Sequence, residues 1–431
     1  MKHTKRKLAI IADDLTGAND CGVHFSENGF DTTVNLNFNK GLNNYSEVLV
    51  VDADTRELDK NQASSIIKKA FHQIKDAGYS ILLKKIDSTL RGNIGVETKV
   101  MMDEGNYDFA LIVPASPRNG RKTINGYHYV NEEMISTTEF SGDLFTPINN
   151  SYIPSLISKE IQVKIGTLQP NLLGSKLDRW EKELKIKYDK GIKYIVCDAS
   201  SEKELELLAY MVGKLHYSVL WVGSAGIAKY LSMNLKTDNT NSQNPVDLLE
   251  KVNDRVLVVS GSRSKVTNKQ IKTALKMEGV KNVELDINEI LNKNKSLSEI
   301  KNELSNKVDI LLRKNNCVII HTPFKNKDND SVDQVNVGYE ITKILGKVAK
   351  SIIKNYSNIA LILTGGATAK AVCKEIEVDE IKLITEIEDG IPIGTLRDKE
   401  NMKVITKAGA FGDENSLVNI IRKIKVGEKI G

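Results

Sequence analysis

The stretch LAIIADDLTGAND, Leu8 to Asp20, runs from apolar residues straight into two adjacent acids, then into a glycine among small residues. Its first five residues, Leu8 to Ala12, read as a strand buried on both faces, the pattern of a parallel sheet covered by helices. Adjacent carboxylates repel, so a chain that places them there gives each a task. A helix start follows near Thr16–Gly17. The stretch therefore predicts a strand–loop–helix unit whose loop lies where ligands bind in open α/β sheets, beyond the strand's carboxyl end. Successive side chains of an extended segment point to opposite faces, so Asp13 and Asp14 should divide the work. One meets a ligand and the other caps the helix or holds a cation, with Asp14 the expected ligand contact.

The same unit recurs along the chain. Apolar, β-rich runs at Leu8–Ala12, Val48–Val51, Ile81–Leu83, Phe109–Val113, Tyr194–Cys197 and Val219–Val222 are each followed by a polar loop and a helical pattern. The segment Leu235 to Arg255 opens with Asn, Thr, Ser and Asp and reads as an exposed linker, with a boundary near residue 245. A second series follows at Val256–Val259, Val283–Leu285, Val318–Ile320, Ile359–Leu363 and Val404–Thr406. The expected fold is α/β with two domains, 1–240 and 241–431, each built on a mainly parallel β-sheet flanked by helices. The active site is expected in the cleft between them. Asn119 to Pro154, rich in Gly, Asn and Thr, reads as an inserted hairpin or lid-like excursion.

At 431 residues two domains is the default. A net charge of +5 with no Lys/Arg block among aromatics argues against a nucleic-acid partner. The four cysteines, Cys21, Cys197, Cys317 and Cys373, form no CxxC pair and read as buried reduced thiols. The first apolar run is stopped by Asp13 and no later one is long enough for a bilayer, so no membrane association and a cytoplasmic location are expected.

The loops after the strands carry two inventories. In the first half they are charged: Asp13 and Asp14; Asp52, Asp54 and Arg56; Lys84, Lys85, Asp87, Ser88, Thr89 and Arg91 around Gly92; then Arg118 and Arg121. Acids and bases at one sheet edge suit a polyhydroxylated carboxylic acid, since Arg or Lys holds the carboxylate while Asp and Ser bond hydroxyls. Singly, Asp52, Lys84 or Arg118 reads as a solvated charge or a cap; the Lys85–Asp87–Arg91 group is too dense for that reading. In the second half they are glycine-rich: SGSRSKVT after Val259, TGGATAKAV after Leu363 and KAGAFGDENS after Thr406. Such strand–loop–helix turns let backbone N–H groups approach phosphates. None matches the common P-loop or dinucleotide fingerprint. A further small-residue turn, Val222–Ala228, reads as a helix start. An acid-sugar site beside a phosphate-binding domain points to phosphoryl transfer.

At these residues the chain resembles the four-carbon acid sugar kinase family. The resemblance is carried in order by IADDLTGAND, DADTR, KKIDSTLRGNIG, VPASPRNGRKTINGYHYVN, the SGS of VVSGSRS, LTGGATA and KAGAFG. It implies an ATP-dependent kinase acting on D-threonate, D-erythronate or 3-oxo-tetronates at the C4 hydroxyl, with an N-terminal sugar-acid-binding and a C-terminal nucleotide-binding domain. The continuation ANDCGV is closer to the threonate and erythronate kinases. Ser262, the turn Gly365, Gly366, Ala367 and Thr368, and Gly409 correspond to ATP-contacting elements. Ala367 stands where some relatives carry an acid, so its side chain adds nothing to Mg²⁺ or ribose binding. Asp13, Arg56, Ser88, Arg91 and Gly92 are expected to bind substrate, and Asp14, Lys85 and Asp87 to act in catalysis. One of the acids would take or orient the hydroxyl proton, while Arg56, Lys85 or Arg91 grips the carboxylate or the moving phosphoryl group. ATP and Mg²⁺ are the expected cofactors, with the metal ligands unassigned and a homodimer the expected assembly. Two readings of other classes remain, an aspartate-nucleophile phosphatase and a non-catalytic sugar-acid binder. The adjacent acids argue against the first, which needs D-x-D spacing, and the glycine-rich loops have no use in the second.

Overall fold

Buried apolar strands order the chain. In the computed structural model, residues 7–42, 45–143, 146–236, 253–262, 264–291, 295–324, 334–397 and 399–426 are described. They fall into two compact units, Met1–Asn241 and Ser242–Gly431. Most of the segment read as a linker, 237–252, lies outside the described residues.

The first unit holds β1 (Leu8–Ala12), β2 (Thr32–Asn35), β3 (Val48–Asp52), β4 (Ile81–Lys85), β5 (Phe109–Val113), β6 (Arg121–Ile124), β7 (Tyr127–Val130), β8 (Glu133–Met134), β9 (Ile165–Leu168), β10 (Tyr194–Cys197) and β11 (Val219–Gly223). Its main sheet runs in the order β2-β3-β1-β4-β11-β5-β10-β9, and every neighbouring pair is parallel. From β1 the chain goes to β2 at the end of this order, returns to β3 beside β1, and then crosses to β4 on the other side. That reversal is the switch point at which such sheets bind ligands. The helices that cover the sheet show why they form. Lys60–Asp76 buries Ala63, Ile67, Ala70, Phe71 and Ile74, one stripe of a helical period, and its first N–H groups are taken by the Asp59 side chain.

The excursion is a hairpin, as its sequence suggested. Strands β6, β7 and β8 form a separate antiparallel sheet. The turn between β6 and β7 places Asn125 at φ 53° and Gly126 at φ 79°, the left-handed pair that a two-residue hairpin requires. Asp198 accepts both of their N–H groups, at 2.6 and 2.9 Å, and pins the turn to the main body.

The second unit holds β12 (Arg255–Ser260), β13 (Val280–Glu284), β14 (Cys317–His321), β15 (Ile359–Thr364), β16 (Glu380–Glu388), β17 (Ile391–Leu396) and β18 (Lys399–Lys407). The order is β13-β14-β12-β15-β18-β17-β16, parallel as far as β18 and antiparallel beyond. The β16–β17–β18 meander is the part of this unit that the βα reading passed over. Its signal was the Asp389–Gly390 turn, with Gly390 at φ 69°. All four cysteines are buried and unbridged, as expected. No helix among the described residues is long and apolar enough to cross a membrane.

Beneath β1 and β4, Lys84 and Glu97 form an ion pair at 2.7 Å with side chains 0% and 1% exposed. The ammonium also donates to the Lys85 carbonyl at 2.7 Å. Breaking a buried pair strands one charge, whereas replacing both partners removes the desolvation cost with it. Lys84→Met should therefore cost about 3–5 kcal/mol in urea unfolding, and adding Glu97→Leu should recover most of that loss.

Candidate functional site

In the first unit the site begins where β1 ends. Asp14 is the N-cap of the helix Leu15–Glu27, its Oδ1 accepting from the Gly17 N–H at 2.9 Å. Asp13 is buried and held by Arg56, from the loop after β3, in a bidentate contact along one guanidinium edge: Nε to Oδ2 at 2.8 Å and Nη2 to Oδ1 at 3.0 Å. The same Nη2 reaches Asp14 Oδ1 at 2.6 Å. Asp13 is thus the cation holder, one of the two tasks expected of it, and the helix cap falls to Asp14, the acid expected to meet a ligand. Burial works to raise the Asp13 carboxyl, but Arg56, Lys84 and Lys85 hold it below the usual carboxylate range. Asp14 Oδ2 has no hydrogen-bond partner among the described residues.

The loop after β4 lies beside it. Asp87 Oδ2 accepts from Thr89 Oγ1 at 2.5 Å and Arg91 Nε at 2.6 Å. Burial opposes its ionisation, yet Arg56 and Arg91 keep it far below its ordinary value. Arg91 also lies 3.8 Å from Asp143 and over the Phe140 ring, both in the excursion. Gly92, at φ 95°, packs so closely that a Cβ there would sit 3.3 Å from Asp13 Oδ2. Leu90 adopts φ 63°, rare for a branched side chain, so the turn is held in a strained form by its surroundings. Lys85 is 4% exposed and donates to the Ile86 carbonyl at 2.9 Å. Its Nζ and Asp14 Oδ1 both lie 2.6 Å from where a Gly17 Cβ would be, so the glycine lets acid and ammonium approach. Among the described residues Lys85 has no carboxylate partner. Arg121 has none either: it donates to the Asn119 carbonyl, and its buried Nε has no acceptor. It lies within electrostatic reach of Asp87.

Two supports were not legible in the sequence. His128 on β7 is fully buried; its Nε2 donates to the Ser88 carbonyl at 2.7 Å and its Nδ1 accepts from Thr123 Oγ1 at 3.1 Å. Ser88 is therefore placed through its backbone, and its half-buried hydroxyl is left without a partner among the described residues. Glu160 accepts the Gly95 and Val96 N–H groups at 2.8 and 3.3 Å, capping the helix Ile94–Glu104 from a distant segment. Nothing local in either sequence neighbourhood announces these contacts.

In the second unit the glycine-rich loops after β12, β15 and β18 meet. The Gly261 N–H donates to Thr368 Oγ1 at 3.1 Å, so Thr368 is buried and ties two loops. A Cβ on Gly409 would lie 2.5 Å from Ser262 Oγ, and Thr267 Oγ1 donates to the Gly409 carbonyl at 2.7 Å. Gly365, at φ 96°, opens the helix Gly366–Glu375, whose N-terminus carries no side-chain cap. Its free N–H groups suit an oxyanion. Ala367 is exposed. Thus Ser262, Gly365, Gly366, Ala367, Thr368 and Gly409 lie on one set of converging loops. The turn at Val222–Ala228 is a helix start, as read, with Ser224 capping the Gly226 N–H.

Comparison with known proteins agrees with these two inventories. Residues 8–231 match a family model described as a sugar-binding N-terminal domain, and 257–417 one described as a nucleotide-binding C-terminal domain. The D-threonate kinase of Salmonella typhimurium LT2 is 30% identical, with 97% of this chain and 98% of that protein covered. The 3-oxo-tetronate kinase of Haemophilus influenzae is 27% identical, over 95% of this chain and 97% of that one. Crystal structures from the same two organisms share the fold. The Salmonella one has TM-score 0.82 at 22% identity, covering 97% and 99% of the two chains. The Haemophilus one has TM-score 0.74 at 24% identity, covering 96% and 100%.

Burial pushes the His128 imidazole down from 6.5 to about 4. The unfolded chain takes up that proton first as the pH falls, so the stability tied to the neutral ring is complete above about 6.5 and is lost toward about 4. Urea unfolding across that window should show a loss on the order of 2–3 kcal/mol that His128→Gln lacks.

Proposed function

The chain belongs to the four-carbon acid sugar kinase family and is an ATP-dependent kinase, and we propose that it phosphorylates the C4 hydroxyl of D-threonate. The observation that carries this reading is the loop cluster after β1, β3 and β4. It pairs protein acids with Arg56 and Arg91 and leaves Lys85, Ser88 and Asp14 Oδ2 with capacity to spare, and so is Arg121 left at the start of β6, within electrostatic reach of Asp87. A carboxylate with three hydroxyls needs that complement of cations, donors and one acceptor. The 30% identity to a D-threonate kinase favours that acid over its 3-oxo relatives.

Each residue then has a role. Lys85 and Arg121, not already spent on protein carboxylates, hold the substrate carboxylate. Ser88 and the turn at Gly92 bond the hydroxyls. Asp13 and Asp87, held ionised by guanidinium partners, are poor proton acceptors and act by fixing Arg56 and Arg91. Asp14 Oδ2 orients the C4 hydroxyl for in-line attack on the γ-phosphorus and receives its proton. Phosphoryl transfer asks little more than such positioning and charge stabilisation. In the second unit the loop N–H groups, with Ser262, receive the ATP phosphates. These loops offer hydroxyls and N–H groups, and Ala367 offers no oxygen. That donor set fits phosphates rather than a metal cage, so Mg²⁺ is expected to arrive with ATP, keep phosphate and water ligands, and neutralise phosphate charge. A cytoplasmic location completes the proposal.

A coupled ADP-release assay over D-threonate, L-threonate, D-erythronate and 3-oxo-tetronates should respond most strongly to D-threonate, with NMR placing the phosphate on C4. Release of free phosphate from a tetronate phosphate without ATP would instead establish the phosphatase. Asp14→Asn keeps a good helix cap, so it should unfold like the wild type while kcat falls about 10²–10⁴-fold. Arg121→Met should raise the KM for the sugar acid by about 10–100-fold, the worth of a charge-assisted contact, and leave that for ATP unchanged.

A further inference from the structure

At the carboxyl end of β18 a cation is buried with no carboxylate to answer it. Lys407 is 1% exposed, and its Nζ donates to the Ala408 carbonyl at 2.9 Å, the Phe411 carbonyl at 3.2 Å and Thr267 Oγ1 at 3.4 Å. These acceptors use the ammonium's three donors, and none is charged. Among the described residues no acid lies within ion-pairing distance. A buried charge without a counter-charge is costly, and proteins seldom keep one without a use.

Its position supplies the use. Lys407 pairs with Thr364 across β18 and β15, and its carbonyl accepts the Gly365 N–H at 2.8 Å. The turn that it holds, Ala408–Gly412, is the one whose Gly409 lies against Ser262. Gln270 Nε2 grips the same turn, donating to the carbonyls of Phe411 and Asp413 at 3.0 and 2.7 Å. The glycine-rich loops after β15 and β18 thus both bond to Lys407, the first through its carbonyl and the second through its ammonium, and the loop after β12 lies against the second at Gly409.

We propose that Lys407 is a positioning residue of the nucleotide site, fixing the Ala408–Gly412 turn on the helix Lys265–Ala274 and setting one positive charge beneath the phosphates of a bound nucleoside di- or triphosphate. The proposal rests on the nucleotide reading of this unit. Because the three N–H donors are spent inside the protein, the ammonium acts on the polyphosphate through its field in a poorly screened interior. The groups that the ammonium touches, Thr267 Oγ1 and the Ala408 and Phe411 carbonyls, carry no charge, and neither does Gln270, which bonds the same Phe411 carbonyl. Just past the turn, Asp413 accepts the Asn415 N–H and the Ser416 hydroxyl through Oδ1. Burial pushes the ammonium down to about 8, so the free protein loses this charge as the pH rises past that value. Bound phosphates favour the charged form, so affinity should be full below about pH 8 and decline above it.

The test is equilibrium binding of ADP to the full chain by calorimetry, at pH values from about 7 to about 9.5, bracketing the range where burial leaves this lysine. Wild type should bind ADP and weaken as the pH rises. Lys407→Met should bind about 10–100-fold more weakly at the lower pH and show no such decline. Lys407→Arg, which stays charged throughout, should keep most of the affinity with a flat profile. Lys407→Met binding within about twofold of wild type, or a wild-type affinity indifferent to pH, overturns the proposal. If Lys407→Met does not fold, the wild-type and Lys407→Arg profiles decide by the same criterion. A wild type that binds no ADP at any pH overturns the nucleotide reading itself, a result distinct from these.

Discussion

A single guanidinium allows two adjacent carboxylates to stand at the end of a buried strand. Arg56 binds Asp13 through two nitrogens and reaches Asp14 with one of them. Without it, Asp13 would lose its largest counter-charge and its hydrogen-bonded partner, and burial would work to drive it toward neutrality. With it, Asp14 is free to cap the first helix and keep one oxygen unspent. The approach of Lys85 then depends on Gly17 having no side chain. The acid pair, the helix start, the glycine and the lysine are one arrangement, and the residues DDLTG and R are its minimum text.

The two units solve opposite electrostatic problems with the same architecture. Each places its chemistry at the carboxyl ends of parallel strands flanking a reversal in strand order. In the first, ionised side chains are packed densely and neutralise one another in pairs, leaving Lys85 and Arg121 over. In the second, the loops offer backbone N–H groups and hydroxyls, and close contacts at Gly261 and Gly409 bring them within touching distance. A sugar acid presents a fixed carboxylate and hydroxyls that charged side chains can match one by one. A polyphosphate presents diffuse negative charge, for which many backbone dipoles and a sunken lysine are suited.

Much of this was legible because parallel strands covered on both faces are written as unbroken apolar runs. Leu8–Ala12, Phe109–Val113 and Ile359–Thr364 need no tertiary knowledge to be found. The short strand Thr32–Asn35 and the edge strand Ile165–Leu168 were not found, since their residues show neither a long apolar run nor alternation. The β16–β17–β18 meander has a turn signal in Asp389–Gly390, but its strands break the βα rhythm that the rest of the chain sets up. At the site, the residues themselves were legible and their partners were not. DDLTG does not say that Arg56 will be spent on its own acids, nor that Asp14 rather than Asp13 takes the cap.

The sequence by itself determined the α/β class, the charged and glycine-rich loop inventories and the kinase family, because periodicity and local motifs are properties of neighbours in the chain. Only the tertiary structure decided which charges are already paired and which remain for a ligand. It also placed His128 behind Ser88 and buried Lys407 with three neutral acceptors. Those outcomes depend on groups between one and 140 residues apart in the chain meeting in a medium of low dielectric, where each charge must find its partner in space.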